Sequence, residues 1–215
     1  VTDPAHLVGL IPGGLDTLDP TARKIVTAAR ICFTDNGFAE TTMQRIAETA
    51  GVGVATVYRR FGHKQHLVRL AILDEALRLT TLLAEVADRA TGPEEATTEV
   101  FAAFVHEASA PKLLTRSIRE SPAAGELTDF LTDDTAIGVS RTLVTNHLRR
   151  WQDTGRLPAD LDLAIVGEMI ARLMMSLIEN PASVIPLQDT AKAREFARVY
   201  LVPLLQTWRV APADS

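Results

Sequence analysis

The sequence predicts an all-α protein, on three observations. Apolar residues recur at helical spacing in almost every stretch between breaks, no segment keeps the alternation of a strand, and Gly and Pro fall between the periodic stretches. Scarce aromatics (5%) beside common Ala, Leu, Thr and Arg lean the same way. The predicted architecture is an N-terminal three-helix unit containing a helix-turn-helix, with a larger helical domain behind it.

Residues 1–19 form an arm with Pro4, Pro12, Gly13 and Gly14 and no sustained periodicity, so it is expected to be loosely ordered. Asp19 is a plausible N-cap and Pro20 suits a first turn, which starts a helix over about Pro20–Asn36. Its stripe is Ile25, Ala28, Ala29, Cys32 and Phe33, and Gly37 ends it. A short helix, about Thr42–Ala50, turns Met43, Ile46, Ala47 and Ala50 to one side; Gly51 stands at its left-handed C-cap. Val54–Phe61 follows, with Val54, Val57 and Phe61 expected inward. Lys64 opens a long helix to about Asp88 whose apolar residues lie on two faces, as suits a connector between two domains. Thr91-Gly92-Pro93 breaks the chain, and Glu94-Glu95 begins a helix to near Ala110-Pro111. Shorter helices are expected at Lys112–Glu120 and about Ala124–Leu131. Longer ones are expected at Asp134–Thr154, about Leu161–Glu179 and about Thr190–Arg209.

The pair at 42–61 carries most of the functional information. The outward face of its second helix reads Ala55, Thr56, Tyr58, Arg59, Arg60. A small, hydroxylated, aromatic and doubly cationic face is poor material for a core and good material for a DNA major groove. Residues 41–66 carry a local charge of +3, although the whole chain has a net charge of −5. Thr42 has a hydroxyl and open helix-start amides with which to hold a phosphate. Tyr58 and Lys64 are candidate phosphate anchors, and Thr56 lies against phosphate or a thymine methyl. Arg59 and Arg60 are each able to take a guanine in bidentate fashion, a contact worth roughly 1–3 kcal/mol of discrimination; the sequence does not choose between them. The bland readings are a packed surface aromatic for Tyr58 and an ordinary solvated pair for the arginines, and the setting disfavours both.

This segment resembles the DNA-binding end of the TetR (tetracycline repressor) family of bacterial transcription regulators. The resemblance rests on Gly37-Phe38, Thr41-Thr42, Ile46-Ala47, Ala50-Gly51-Val52, Thr56-Val57-Tyr58, Phe61, Lys64 and Leu67, and covers roughly residues 21–68. Gly53 departs from it where Ser or Thr usually caps the recognition helix, and His63 departs where a small capping residue usually precedes the Lys. The resemblance implies that Gln44 and Arg45 also lie near the DNA. It also implies a ligand-responsive regulator, most simply a repressor released from a palindromic operator by a mainly apolar small molecule. A co-repressor-dependent regulator and a helical protein-interaction module are the alternatives. The arm, with Asp3, Asp16 and Asp19 and no Lys or Arg, is not expected to enter the minor groove.

One helix-turn-helix spans too few base pairs to find a site alone; dimers place two recognition helices in successive grooves about 34 Å apart. The resemblance places that dimer on the last two helices, with Ala164, Gly167, Glu168, Arg172, Phe196, Val199, Tyr200, Leu204, Leu205 and Trp208 as interface candidates. The middle helices would enclose the effector, with Phe101, Phe104, Val105, Leu113, Ile118, Phe130, Leu143, Met169, Leu173 and Met174 as apolar lining and Arg116 and Arg119 as polar anchors. Each is equally readable as plain core or surface. The expected domains are the arm at 1–19, the DNA-binding unit at 20–66 and the effector and dimerisation domain at 67–215.

Other classes find little support. With no metal-ligand cluster, phosphate-cradling glycine loop or nucleophile elbow, an enzyme is not expected, nor is a cofactor or a metal. His63 and His66 lack an acidic or thiol neighbour, which favours a plain surface pair. The single Cys32 suits a reducing cytoplasm and reads as core. No signal peptide is expected, and Asp162, Glu168 and Arg172 interrupt the most apolar stretch, which argues against a membrane span of ~20 residues.

Overall fold

Asp19 starts the first helix as its residue type suggests. One carboxylate oxygen accepts from the amides of Thr21 (2.9 Å) and Ala22 (3.0 Å). The computed structural model describes residue 15 and residues 18–109, 134–179, 184–185 and 189–206. Every element among them is helical: α1 Pro20–Glu40, α2 Met43–Ala50, α3 Val54–Phe61, α4 Lys64–Arg89, α5 Pro93–Ser109, α6 Asp134–Asp153, α7 Leu163–Glu179 and α8 Thr190–Phe196. The expected segments 112–120 and 124–131 lie outside the described residues.

α1 runs past Asn36, where the sequence reading ended it. Gly37 leaves helical geometry (φ 80°, ψ 170°), and the chain then makes one more turn to Glu40. Buried Thr41 secures that kink, its hydroxyl lying 2.7 Å from the Gly37 carbonyl and 3.0 Å from that of Cys32. α2 ends in a Schellman turn: Gly51 is left-handed, and the Val52 amide reaches the Ala47 carbonyl at 3.0 Å. Gly62, with a positive φ of 70°, closes α3 and returns its amide to the Tyr58 carbonyl at 2.8 Å. Val57 and Phe61 are buried as expected, but Val54 is 41% exposed. It occupies the first turn, before the helix settles against its neighbours.

A first core joins α1 to α4: Ile25, Phe33, Ile46, Val57, Phe61 and Leu67 are its centre. Leu15 belongs to it at 1% exposure, so the segment expected to be loose contributes a core side chain. At 26 residues α4 extends beyond this unit, and Leu79 and Leu83 reach a second core formed by Phe101, Phe104, Val105, Leu177, Ala193, Ala197 and Leu201. A third holds Leu148, Leu157, Leu161, Leu163, Val166, Ile170 and Leu205 between α6, α7 and the C-terminal segment. Asp162 caps α7 through the amides of Ala164 (2.9 Å) and Ile165 (3.1 Å), so that helix starts at Leu163 and not at Leu161.

The last helix is not a uniform α-helix to Arg209. After α8 it widens to a π turn over Ala197–Leu201 and tightens to a 3-10 turn over Val202–Leu205. Pro203 accounts for this: it lacks an amide hydrogen and its ring crowds the carbonyl four residues back, so the preceding turn opens.

Candidate nucleic-acid interface

The two helices of the helix-turn-helix have different anchors. Thr42 caps α2 by accepting from the Arg45 amide at 3.1 Å, which leaves its hydroxyl proton for a phosphate oxygen. Gln44 and Arg45 are exposed beside it, Gln44 donating to Glu48 at 3.1 Å. α3 has no side-chain cap, because Gly53 supplies only backbone. Its surface presents Ala55, Tyr58 (53% exposed), Arg59 and Arg60, with Thr56 half-buried.

The structure separates the two arginines. An Arg60 Nη1 donates to Asp19 Oδ2, joining the end of the recognition helix to the start of α1. Arg59 is exposed and has no polar partner among the described residues. The backbone amide of Ala22 and then the Arg60 guanidinium hold the Asp19 carboxyl below its ordinary value. This ion pair spans 41 positions of sequence and was not anticipated from the residues alone.

Lys64 also differs from expectation. Its ammonium donates to the carbonyls of Phe38 (2.8 Å), Thr41 (3.1 Å) and Ala39 (3.4 Å). Those donors face the end of α1, so the visible work of Lys64, read from the sequence as a phosphate anchor, is to cap the carbonyls between α1 and α2. His63 precedes α4 as an N-cap without a side-chain bond, and His66 meets the Phe61 ring edge-on at 5.8 Å.

Behind this face a charged chain links three helices. Arg30 of α1 donates to Asp74 (2.8 Å) and to Glu75 (3.2 Å) on α4. Glu75, only 3% exposed, also accepts from Nε and Nη2 of Arg78 (3.0 Å each), and the same Nη2 continues to Glu107 of α5 at 2.7 Å. Glu75, more than any other partner, raises the Arg78 pKa further. No sequence pattern announces this network, since its members sit on three separate helices.

In the rear unit the candidates fall into three groups. Phe101, Phe104 and Val105 are packed in the second core, Leu173 and Met174 lie half-buried at its margin, and Leu143 is half-buried on α6. Met169 is 48% exposed on the outer face of α7, which corrects its assignment to a pocket. Leu113, Arg116, Ile118, Arg119, Phe130 and Trp208 lie outside the described residues.

Two interface candidates also need correction. Leu205 is buried within its own chain at 3% exposure. Gly167 faces α6: a Cβ there would collide with Thr145 Oγ1 and approach the Arg141 carbonyl to 3.2 Å. Its small size therefore serves an internal helix contact. Leu204 is half-buried against both rear cores, and Phe196 stacks on Phe101 with ring centroids 5.4 Å apart. The outer face keeps Ala164, Ile165, Met169, Arg172, Val199 and Tyr200 exposed. Glu168 lies among them, bonded to Arg172 (2.6 Å) and Arg141 (3.0 Å), which hold its carboxyl below the usual range.

Residues 25–71 match the family model described as bacterial regulatory proteins, tetR family. Over 181 residues the chain is 24% identical to the HTH-type transcriptional regulator UidR of Escherichia coli (strain K12), covering 83% of this chain and 88% of that protein. Among solved structures, the TetR family repressor AlkX from Dietzia sp. strain DQ12-45-1b, implicated in biodegradation of n-alkanes, superposes with a TM-score of 0.61 at 22% identity, covering 85% of this chain and 98% of that one. The SmeT–triclosan complex superposes with a TM-score of 0.57 at 18% identity, covering 92% and 99%.

Proposed function

Residues 25–71 place this chain in the tetR family of bacterial regulatory proteins, and from that premise we propose a dimeric, sequence-specific repressor that leaves a palindromic operator when a mainly apolar small molecule binds behind α4. The observation that carries the DNA-binding half is the α3 surface, where Ala55, Tyr58, Arg59 and Arg60 stand outward on a helix whose inner face, Val57 and Phe61, is sealed. Arg59 is our choice for base reading, because Arg60 is already engaged by Asp19. Thr42, Gln44, Arg45, Thr56 and Tyr58 are assigned to backbone phosphates or to the groove wall.

The dimer is assigned to the outer face of α7 and the C-terminal segment. Ile165, Met169, Val199 and Tyr200 leave an apolar strip there, flanked by the Arg141–Glu168–Arg172 ion pairs. A twofold contact on this strip would carry two recognition helices on one molecule. The effector is placed near the rear cores, in keeping with a structural relative seen in complex with triclosan. Effector binding would act through α4, and the Arg30–Glu75–Arg78–Glu107 chain connects α1 to α5 across it. A ~100-fold loss in DNA affinity requires about 2.7 kcal/mol of coupling between the two sites. Such a regulator works in the cytoplasm with its DNA; among the described residues no helix is long and apolar enough to cross a membrane.

Selection of bound duplexes from a random pool at physiological salt tests the reading. Enrichment of an inverted repeat is expected. A folded protein that enriches no sequence, with or without added apolar ligands, would refute it. Replacing Tyr200 by Asp should give a folded monomer by sedimentation and abolish recovery of the repeat.

A further inference from the structure

We propose that Asp19 is an electrostatic brake on the recognition helix, competing with DNA phosphate for the Arg60 guanidinium. The inference rests on the DNA-binding reading above and deepens it. The carboxylate has two faces with two occupations: Oδ1 caps α1 through the amides of Thr21 and Ala22, and Oδ2 accepts from Arg60 Nη1. Its position is not left to a loose tail. Buried Leu15 anchors the preceding segment, the Leu18 amide returns to the Leu15 carbonyl at 3.1 Å, and Arg23 Nη2 reaches the same carbonyl at 3.1 Å.

Both members of the pair stay solvent-accessible, with side chains 31% (Arg60) and 49% (Asp19) exposed. Arg60 is therefore near the surface on which a duplex would lie, yet its charge is locally cancelled. To engage a phosphate it must exchange one anion for another, and the displaced carboxylate then remains beside the DNA backbone. Each consequence weakens binding. Because the cap uses one oxygen and the brake uses the other, the two roles are separable. Asn caps a helix about as well as Asp but carries no charge.

The test compares the wild-type protein with Asp19→Asn on the selected duplex over a range of salt concentrations. Asp19→Asn should bind more tightly, by up to about fivefold per recognition helix, the range of an exposed ion pair. The slope of log affinity against log salt should steepen by about one per subunit, as one more phosphate is neutralised. In an Arg60→Ala background the same substitution should leave the slope unaltered and keep only the smaller gain from relieving carboxylate–phosphate repulsion. Asp160→Asn, which removes an equal charge from an exposed turn before α7, should leave the slope unaltered. An unchanged slope in Asp19→Asn, or an equal gain without Arg60, overturns the brake. So does a loss of affinity, which would make Asp19 a group that positions Arg60. Those results leave the DNA-binding reading standing. Failure of the wild-type protein itself to bind any duplex overturns both.

Discussion

The two ends of the molecule close their apolar surface in different ways. At the DNA-facing end one continuous core takes side chains from α1, α2, α3 and α4, and α3 shows Val54 and Tyr58 as its large exposed apolar groups. At the rear end the apolar residues divide between two smaller cores, and Ile165, Met169, Val199 and Tyr200 remain at the surface of α7 and the C-terminal segment. Among the described residues the front unit thus closes on one core, while the rear unit keeps an apolar strip at its surface, the strip assigned above to a second copy of the chain. Sequence order does not reveal this, since both ends have similar apolar periodicity. The difference lies in whether the apolar faces share one core or divide between two.

The largest expected effect tests the integrity of the front core. Phe33 is fully buried there, so Phe33→Ala should cost roughly 3–5 kcal/mol, lost transfer energy plus a cavity. Amide exchange should locate the damage: α2 and α3 should lose protection while α6 and α7 keep theirs. Equal loss at both ends would mean that they fold as one unit and would break the comparison.

At the rear, Gly167→Val asks whether the α6–α7 contact is as tight as the missing Cβ indicates. The added side chain must displace Thr145 and the Arg141 carbonyl, so a loss of about 1–3 kcal/mol in thermal or urea unfolding is expected. A neutral outcome would show that the two helices can slide apart.

A smaller effect should appear with pH. His147 on α6 is held below its ordinary pKa of 6.5, first by burial and then by Arg150, whose guanidinium lies 2.7 Å away. The unfolded chain therefore takes up a proton more readily than the folded one. Stability from this site is complete above about 6.5 and is lost as pH falls from there towards the lowered folded value. His147→Gln should flatten that limb of the stability profile, and the flattening should appear in the rear unit alone.

The smallest effect belongs to the recognition helix. Gly53 has extended geometry (φ −71°, ψ 140°), and a Cβ there would meet nothing closer than Thr56 Oγ1 at 4.0 Å. Gly53→Ser should therefore add a cap and stabilise the front unit by a few tenths of a kcal/mol. Circular dichroism melting would detect it, and a loss would show that the turn needs glycine after all.

Much of the front unit was legible because its signals are local. Gly51 marks a left-handed cap, and Met43, Ile46, Ala47, Ala50, Val57 and Phe61 fall on faces that short helices must bury. What the sequence reading missed there is long-range or terminal. Val54 points outward because a first-turn residue has few neighbours, and the Asp19–Arg60 pair joins residues that only the folded bundle brings together. The rear unit was less legible for the same reason. Gly167 looked like a site for a second subunit because small residues favour close approach of any helix, and periodicity does not say which one. Pro203 did carry a visible signal, since a proline well inside an expected helix should have warned of an altered turn.

Lys64 sets a mechanical limit on the connector. As the first residue of α4, it is moored by three hydrogen bonds to the carbonyls between α1 and α2. A helix held in this way resists sliding along its own axis, since translation would pull the ammonium off all three oxygens together. Its other half is tied to different partners: Arg78 reaches Glu107 of α5, and Leu79 and Leu83 pack against the second core. Any displacement of that core must therefore be borne by a helix whose first residue is fastened beside α2.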